Sequence, residues 1–593
     1  MTLNVRGGSV KRGVKFVLVF VGLAVVISLA GVALMFMAMS SGPSVPSAAT
    51  LVLRPGGEIQ EVVPDDVFGL LGRGTNTVRG FVEGLDKAKR DPRIKAVLLM
   101  PSGLSTPYWA KLQELRDAVI DFKKSRKTVI AFLEYGGDRE YYLASAADKV
   151  YLLPTSSLDL TGVASYEIFL RGLLDKIGAV PDYLHVGAYK TAVNQMTEKG
   201  FTPAHREMSE SLNRDMYDQL IRGIAEARKK SEQEVRALID QGPFTPEDAL
   251  RHGFVDELAY EDQLDDRVPA LRSGSRETRR IEGSDYQRIR AGSVGIRPRS
   301  RIAVIYAAGT IVSGRSAYDP LNGAVVGSDS LVEQIREVRD DNSLKAIILR
   351  VDSPGGSSVA SDVIWRELMI TRDKNPSRPL IASMSDLAAS GGYYISLPAQ
   401  VIVAQPATLT GSIGVYAGKI ALGGTLSKVG VTTETVTSGA NSDIYSPFTP
   451  FSPSHRARLQ DQMQGFYENF VEKVAESRKT TPEKIDAVAQ GRVWTGRQAR
   501  ERGLVDALGG LDVAVRIAKE RAHIPADEDV QLVAYPARRS LYETIAGSFG
   551  VRMNVWSLLA GGAEQHAVSA LTAPARLFRR GEPLTLMPYV FVR

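Results

Sequence analysis

The combination of residues best suited to covalent chemistry is Ala389-Ser390-Gly391-Gly392-Tyr393-Tyr394, a serine followed by two glycines and an apolar helical pattern. Glycine admits backbone conformations closed to other residues, and the first turn of a helix leaves N–H groups without intrahelical partners. The spacing predicts a sharp turn into a helix, an exposed and reactive Ser390 hydroxyl, and a Gly391 N–H open to an oxyanion. An ordinary helix-capping serine is the plain alternative, so other segments have to decide.

One such segment is Val351-Asp352-Ser353-Pro354-Gly355-Gly356, directly after the apolar run Ala346–Leu349. Loops at the ends of strands in open α/β sheets are where function concentrates. Gly355 and Gly356 permit close backbone approach, and with Gly391 they are candidates for an oxyanion hole.

The elements that must position these groups occur twice, at a period of about 250 residues. Lys95-Ala96-Val97-Leu98-Leu99 returns as Lys345-Ala346-Ile347-Ile348-Leu349, short apolar runs that read as buried strands. Phe81, Leu85 and Ala88 return as Leu331, Ile335 and Val338 on one helical face. Met216, Leu220 and Ile224 match Phe466, Phe470 and Val474 on a longer helix, and Gly253-Phe254-Val255-Asp256 matches Gly503-Leu504-Val505-Asp506. Strands alternating with helices predict a tandem α/β fold with largely parallel sheets. The expected units are residues 49–272 and 301–534, joined by a basic linker over 273–300 and followed by a tail over 535–593 with no assigned role.

The two copies differ where chemistry is expected. The first has Asp138-Arg139-Glu140 before its Tyr141-Tyr142 pair, so only the second offers a serine there. Conversely, Gly187-Ala188-Tyr189-Lys190-Thr191 places Lys190 opposite Ser442 of the second copy. One copy keeps a lysine and the other a candidate nucleophile. His185, aligned with Thr437, is the histidine that a Ser-His-Asp hydrolase would use.

At 593 residues, 44% hydrophobic and 24% charged, the chain has a globular composition, and without cysteine it has no disulfide, thiolate site or cysteine nucleophile. Residues 16–39 carry no ionisable side chain and are long enough to cross a bilayer about 30 Å thick. Arg6, Lys11, Arg12 and Lys15 precede them, and no acidic residue appears before Glu58, which predicts a transmembrane anchor with residues 1–15 in the cytoplasm. Those four residues account for most of the formal net charge of +6, so a surface for nucleic acid is not indicated. Neither cofactor nor metal is indicated, because no phosphate-loop or metal-ligand spacing occurs.

Taken together, Ser353-Pro354-Gly355-Gly356, Ala389-Ser390-Gly391-Gly392-Tyr393-Tyr394, Thr410-Gly411-Ser412-Ile413-Gly414 and Tyr189-Lys190 resemble the long, two-repeat form of the signal peptide peptidase A (protease IV) family, within the Clp protease/crotonase-like superfamily. The resemblance implies that Ser390 is the nucleophile, Lys190 the general base and Ser412 a hydroxyl that orients the lysine. It further implies signal peptides and other extended apolar peptides as substrates, a homotetramer, and a single-pass protein of the bacterial inner membrane with its catalytic part on the periplasmic side. A lysine serves as base only when neutral, and its ordinary pKa is about 10.4, so the site must disfavour charge. A crotonase-type acyl-CoA enzyme and a noncatalytic membrane scaffold are the alternatives from other classes.

Overall fold

The computed structural model describes residues 22–23, 26–27, 31, 44–61, 77–273, 276–277, 279–319, 323–536, 583–588 and 591–592. Most of the expected anchor over 16–39 lies outside the described residues. Among the described residues no helix is long and apolar enough to cross a membrane.

In the first repeat the strands β1 (Ala49–Leu53), β2 (Ile94–Leu99), β3 (Thr128–Leu133) and β4 (Lys149–Leu152) pair in parallel. Helix α1 (Val78–Arg90) connects β1 to β2, and α2 (Ala110–Lys123) connects β2 to β3. The first helix follows from its sequence: the Thr77 hydroxyl accepts from the Gly80 N–H, basic residues fill the last turn, and Phe81, Leu85 and Ala88 are buried. A short helix α3 (Asp138–Ala144) precedes β4.

Beyond β4 the chain forms β5 (Val180–Val186), the long helix α4 (Pro203–Arg228) and β6 (Glu257–Leu258). The segment expected to be a linker instead contributes β7 (Arg279–Glu282), which pairs in parallel with β1. Just after it, Tyr286 is buried and its hydroxyl donates to Asp91 at 3.0 Å. The basic, irregular composition hid this strand because only Ile281 of its four residues is buried. The first sheet has the order β7-β1-β2-β3-β4-β6.

The second repeat opens with β8 (Ser300–Ala308) and β9 (Thr310–Val312), then α5 (Ser328–Asp340), β10 (Leu344–Ser353) and β11 (Gly355–Ser357). Helix α6 (Ser358–Lys374) leads to β12 (Leu380–Ala389), the short α7 (Gly391–Ser396), β13 (Val401–Ala404), β14 (Leu409–Gly411) and β15 (Val415–Ala421). Helix α8 (Pro453–Arg478), β16 (Val493–Thr495), β17 (Ala507–Leu508), α9 (Leu511–Arg521) and β18 (Val530–Tyr535) complete it.

The duplication is visible in detail. Helices α4 and α8 both have 26 residues; each starts on a hydroxyl cap followed by proline and ends on a left-handed lysine, Lys229 or Lys479. The main sheet of the second repeat runs β16-β14-β12-β10-β8-β18, with β13 also beside β12. Edge strand β18 pairs with β8 as β7 pairs with β1.

A third sheet borders the site and supplies the strand that leads to Lys190. It contains β9-β11-β19-β15-β5, where β19 is Leu584–Leu586 from the tail. Strand β5 belongs to the first repeat yet pairs antiparallel with β15 of the second, from Val186 opposite Val415 to Val180 opposite Ala421.

Candidate active site

Ser390 stands at the junction of β12 and α7, the two elements that its neighbours dictate. The ten-residue β12 is almost wholly buried, and the backbone must then turn sharply at Ser390, whose φ is 54° and ψ −110°. Such a left-handed value in a residue with a Cβ stores strain and persists only where the surroundings hold it. The Ser390 N–H donates to Gly411 O at 2.7 Å, and Ser390 O accepts from the Tyr394 N–H. Glycine at 392 is required by space, since a Cβ there would sit 2.7 Å from Ser353 O.

Lys190 arrives from the first repeat at the end of β5. The Tyr189 N–H donates to Gln490 O at 2.8 Å, and a Cβ on Gly491 would lie 2.5 Å from the Lys190 nitrogen, so the two segments pack backbone against backbone. The amine is 2.8 Å from Ser390 Oγ and 3.0 Å from both Ser412 O and Ser412 Oγ. Ser412 also has a left-handed φ, 51°, and its N–H donates to Arg492 O.

All three side chains are fully buried. Burial pushes the Lys190 amine well below the ordinary lysine range, and among the described residues no carboxylate pairs with it to oppose that. In its neutral form the amine has two N–H groups and one lone pair. Donation to Ser412 O and Ser412 Oγ leaves the lone pair for the Ser390 hydroxyl proton. The geometry is that of an activated alcohol.

The expectation of an exposed Ser390 is corrected, because its relative exposure is 0%. The cause is that the turn lies under β11 and the tail strand rather than at an open sheet end. The glycines expected at the oxyanion are adjacent to the turn, but the Gly355 N–H donates to Ser353 Oγ at 3.2 Å, and Gly356 faces Thr585 of β19. Gly391 is the first residue of α7.

His185 is exposed, its ring bonded to Gly187 O at 3.0 Å, and in register it faces Tyr416 rather than Ser390. In the first repeat, the position of the nucleophile is taken by Asp138, which accepts from the Gly162 N–H at 2.9 Å. Ser442, aligned with Lys190, is exposed.

The sequence reading missed an ionic network that joins the repeats beneath the site. Arg350 of β10 is buried and makes a two-pronged contact with Glu61 at 2.9 and 2.7 Å and another with Glu114 at 2.7 Å. Lys111 of α2 bridges Asp352 at 2.7 Å and Asp386 at 3.4 Å. Those carboxylates lie at the ends of β10 and β12, one residue before Ser353 and four before Ser390. The available signal was a charge inside an otherwise apolar strand, at Arg350 and again at Asp386.

The model of peptidase family S49 matches this chain twice, over residues 121–273 and 372–525. The chain belongs to peptidase family S49. Lys190 falls within the first S49 match, while Ser390 and Ser412 fall within the second. The chain is 35% identical over 456 residues to "Serine protease SPPA, chloroplastic" of Arabidopsis thaliana, covering 76% of this chain and 66% of that protein. It is 36% identical over 460 residues to "Protease 4" of Salmonella typhi, covering 76% and 72%. A shorter relative, "Putative signal peptide peptidase SppA" of Enterococcus faecium, is 36% identical over 191 residues, covering 32% and 55%. This S49 chain is a serine protease, with the family domain present in both halves.

Proposed function

We propose that the chain is a membrane-anchored endopeptidase in which Ser390 is the nucleophile, Lys190 the general base and acid, and Ser412 the residue that orients the lysine. The observation that carries this reading is the 2.8 Å contact between the Lys190 amine and Ser390 Oγ in a fully buried setting. Ser390 Oγ attacks the peptide carbonyl carbon while its proton passes to the neutral Lys190 amine. The resulting ammonium protonates the departing amine, the C–N bond breaks, and an acyl ester remains on Ser390. Lys190, neutral again, takes a proton from water as its oxygen attacks the ester carbonyl; the ester C–O bond breaks, the acyl product leaves, and the Lys190 ammonium returns the proton to Ser390 Oγ.

The Gly391 N–H, with the Gly355 and Gly356 loop, is assigned to the developing oxyanion. For Gly355 that requires the N–H to leave Ser353 Oγ as the carbonyl arrives.

The substrates are extended apolar peptides, signal peptides among them. Residues 16–39 hold the enzyme in the membrane beside them, with residues 1–15 cytoplasmic and the catalytic part on the periplasmic side. The two repeats are Clp protease/crotonase-like units, and the assembly is a tetramer. The experiment is hydrolysis of a fluorogenic apolar peptide by purified, folded Ser390→Ala and Lys190→Ala chains. Both are expected to lose activity by more than about a thousandfold, and substantial hydrolysis by either rejects the dyad. No hydrolysis by the parent chain either, with assembly intact, would favour the scaffold reading.

A further inference from the structure

Residues 490–492, just ahead of β16, touch the segments that carry both Lys190 and Ser412. They prolong the antiparallel pairing of β16 with β14, in which Gly411 faces Val493. The Ser412 N–H donates to Arg492 O and the Gly491 N–H to Ile413 O, each at 2.7 Å, while Gln490 O accepts from the Tyr189 N–H at 2.8 Å. Three consecutive residues thus join the lysine segment of the first repeat to the serine turn of the second through the main chain.

The Arg492 side chain adds a hold of another kind. Its guanidinium lies over the Tyr189 ring, 4.7 Å from the centroid, and over the Trp494 ring at 4.2 Å. Its two terminal nitrogens donate to the two carboxylate oxygens of Glu207, each at 2.7 Å, the two-pronged contact for which the planar arginine head is suited. Glu207 lies on α4 of the first repeat, and the next residue, Met208, accepts from the Val493 N–H on its sulfur at 3.3 Å. Trp494 is fixed in turn, its ring N–H donating to Val488 O at 2.9 Å. A side chain of the second repeat therefore clasps the residue before Lys190 and the long helix of the first.

Where the first repeat reads Gln241-Gly242-Pro243-Phe244-Thr245, the second reads Gln490-Gly491-Arg492-Val493-Trp494-Thr495. The second stretch is one residue longer, and the first has no cation in it. Packing shared by the two copies does not require the arginine. Nor does stability account for it, because Glu207 is half-exposed and water screens such a pair.

We propose that Arg492, braced by Glu207, is a positioning residue for the base: it holds Tyr189 in place and so sets the Lys190 amine within reach of Ser390 Oγ. This rests on Lys190 being the base. Placement matters because an error of about 1 Å in a reacting group costs about a hundredfold in rate.

The test uses the full chain. With a fluorogenic apolar peptide, Arg492→Ala is expected to lower kcat by about thirtyfold, with KM within about twofold of the parent and the melting temperature within about 2 °C. Arg492→Lys keeps the charge but neither the flat stack nor the two-pronged contact, so kcat is expected to fall by about tenfold. Parent-like kcat in either folded variant overturns the inference, and the lysine variant decides it if the alanine variant does not fold.

A double-mutant cycle separates an effect through Lys190 from a general one. Its readout is single-turnover release of nitrophenol from an activated apolar peptide ester, with Ser390→Ala as the blank. Arg492→Ala is expected to slow release by about thirtyfold beside Lys190 and by less than about twofold in the Lys190→Ala chain. Equal losses in the two backgrounds overturn the positioning role. Release by Lys190→Ala at the parent rate overturns the dyad reading instead.

Discussion

Val186 faces Val415 across an antiparallel strand pair whose members come from different repeats. That register sets Lys190, just beyond β5, against Ser412, just before β15, and so makes one site from two half-sites. Leu184→Pro, opposite Ala417 in the same pair, removes a ladder N–H. We expect kcat/KM to fall by about a hundredfold or more through misplacement of the base, with far-ultraviolet circular dichroism nearly unchanged. Parent-like kinetics in a folded variant would show that the exchanged strand does not position the lysine.

The buried Lys190 amine has its pKa lowered by desolvation. Because the neutral amine is the active form, activity is held above that lowered pKa and lost as pH falls through it. Lys190→Arg keeps a cation that does not deprotonate in proteins, so it should be inactive across the whole range, a loss of at least about a thousandfold. A pH–rate profile checks both points. An arginine variant with appreciable turnover would remove the base from Lys190.

The same burial has a consequence for stability. The folded chain resists a proton on Lys190 that the unfolded chain accepts readily, so below the ordinary lysine pKa the unfolded state binds more protons and stability falls as pH falls. Lys190→Met lacks this dependence. Its melting temperature relative to the parent should rise steadily from alkaline to about neutral pH, read by differential scanning fluorimetry. A difference independent of pH would mean that the amine is not shielded as described.

Ser390 is held at φ 54° and ψ −110°. Glycine takes such a conformation without a Cβ penalty, so Ser390→Gly should be more stable than Ser390→Ala by about 1 kcal/mol, beyond the usual entropic cost of glycine. Urea unfolding of the two inactive chains measures this. The reverse order would indicate that the turn relaxes when the hydroxyl is absent.

Lys111 is buried between Asp352 and Asp386. Burial pushes the Asp386 carboxyl up to about 6 even with the Lys111 ammonium beside it. Lys111→Ala leaves two carboxylates without their cation and is expected to destabilise the chain by about 3–5 kcal/mol. Adding Asp386→Asn to it should recover part of the loss. If the single variant melts like the parent, the network is not what clamps β10 and β12.

Paired apolar periodicity made the two repeats legible: the faces of α1 and α5, the strands β2 and β10, and the twin helices α4 and α8 all follow from spacing alone. The difference between copies pointed to Ser390 and Lys190, because a scaffold position filled by unlike groups stands out without a structure. Strand β7 escaped notice because an edge strand with one buried side chain carries little pattern. Strand β19 did too, since three residues after a long stretch without pattern give no period to read.

Residue order along the chain thus specified which side chains are available, two copies of one α/β unit and a serine and a lysine in separate halves. Whether those groups meet was decided by folding, through the β5 and β15 pairing and the buried ion pairs of Arg350 and Lys111. Hydrogen-bond register between distant strands and the withdrawal of an amine from water depend on what packs in three dimensions, and neither leaves a local mark in the sequence.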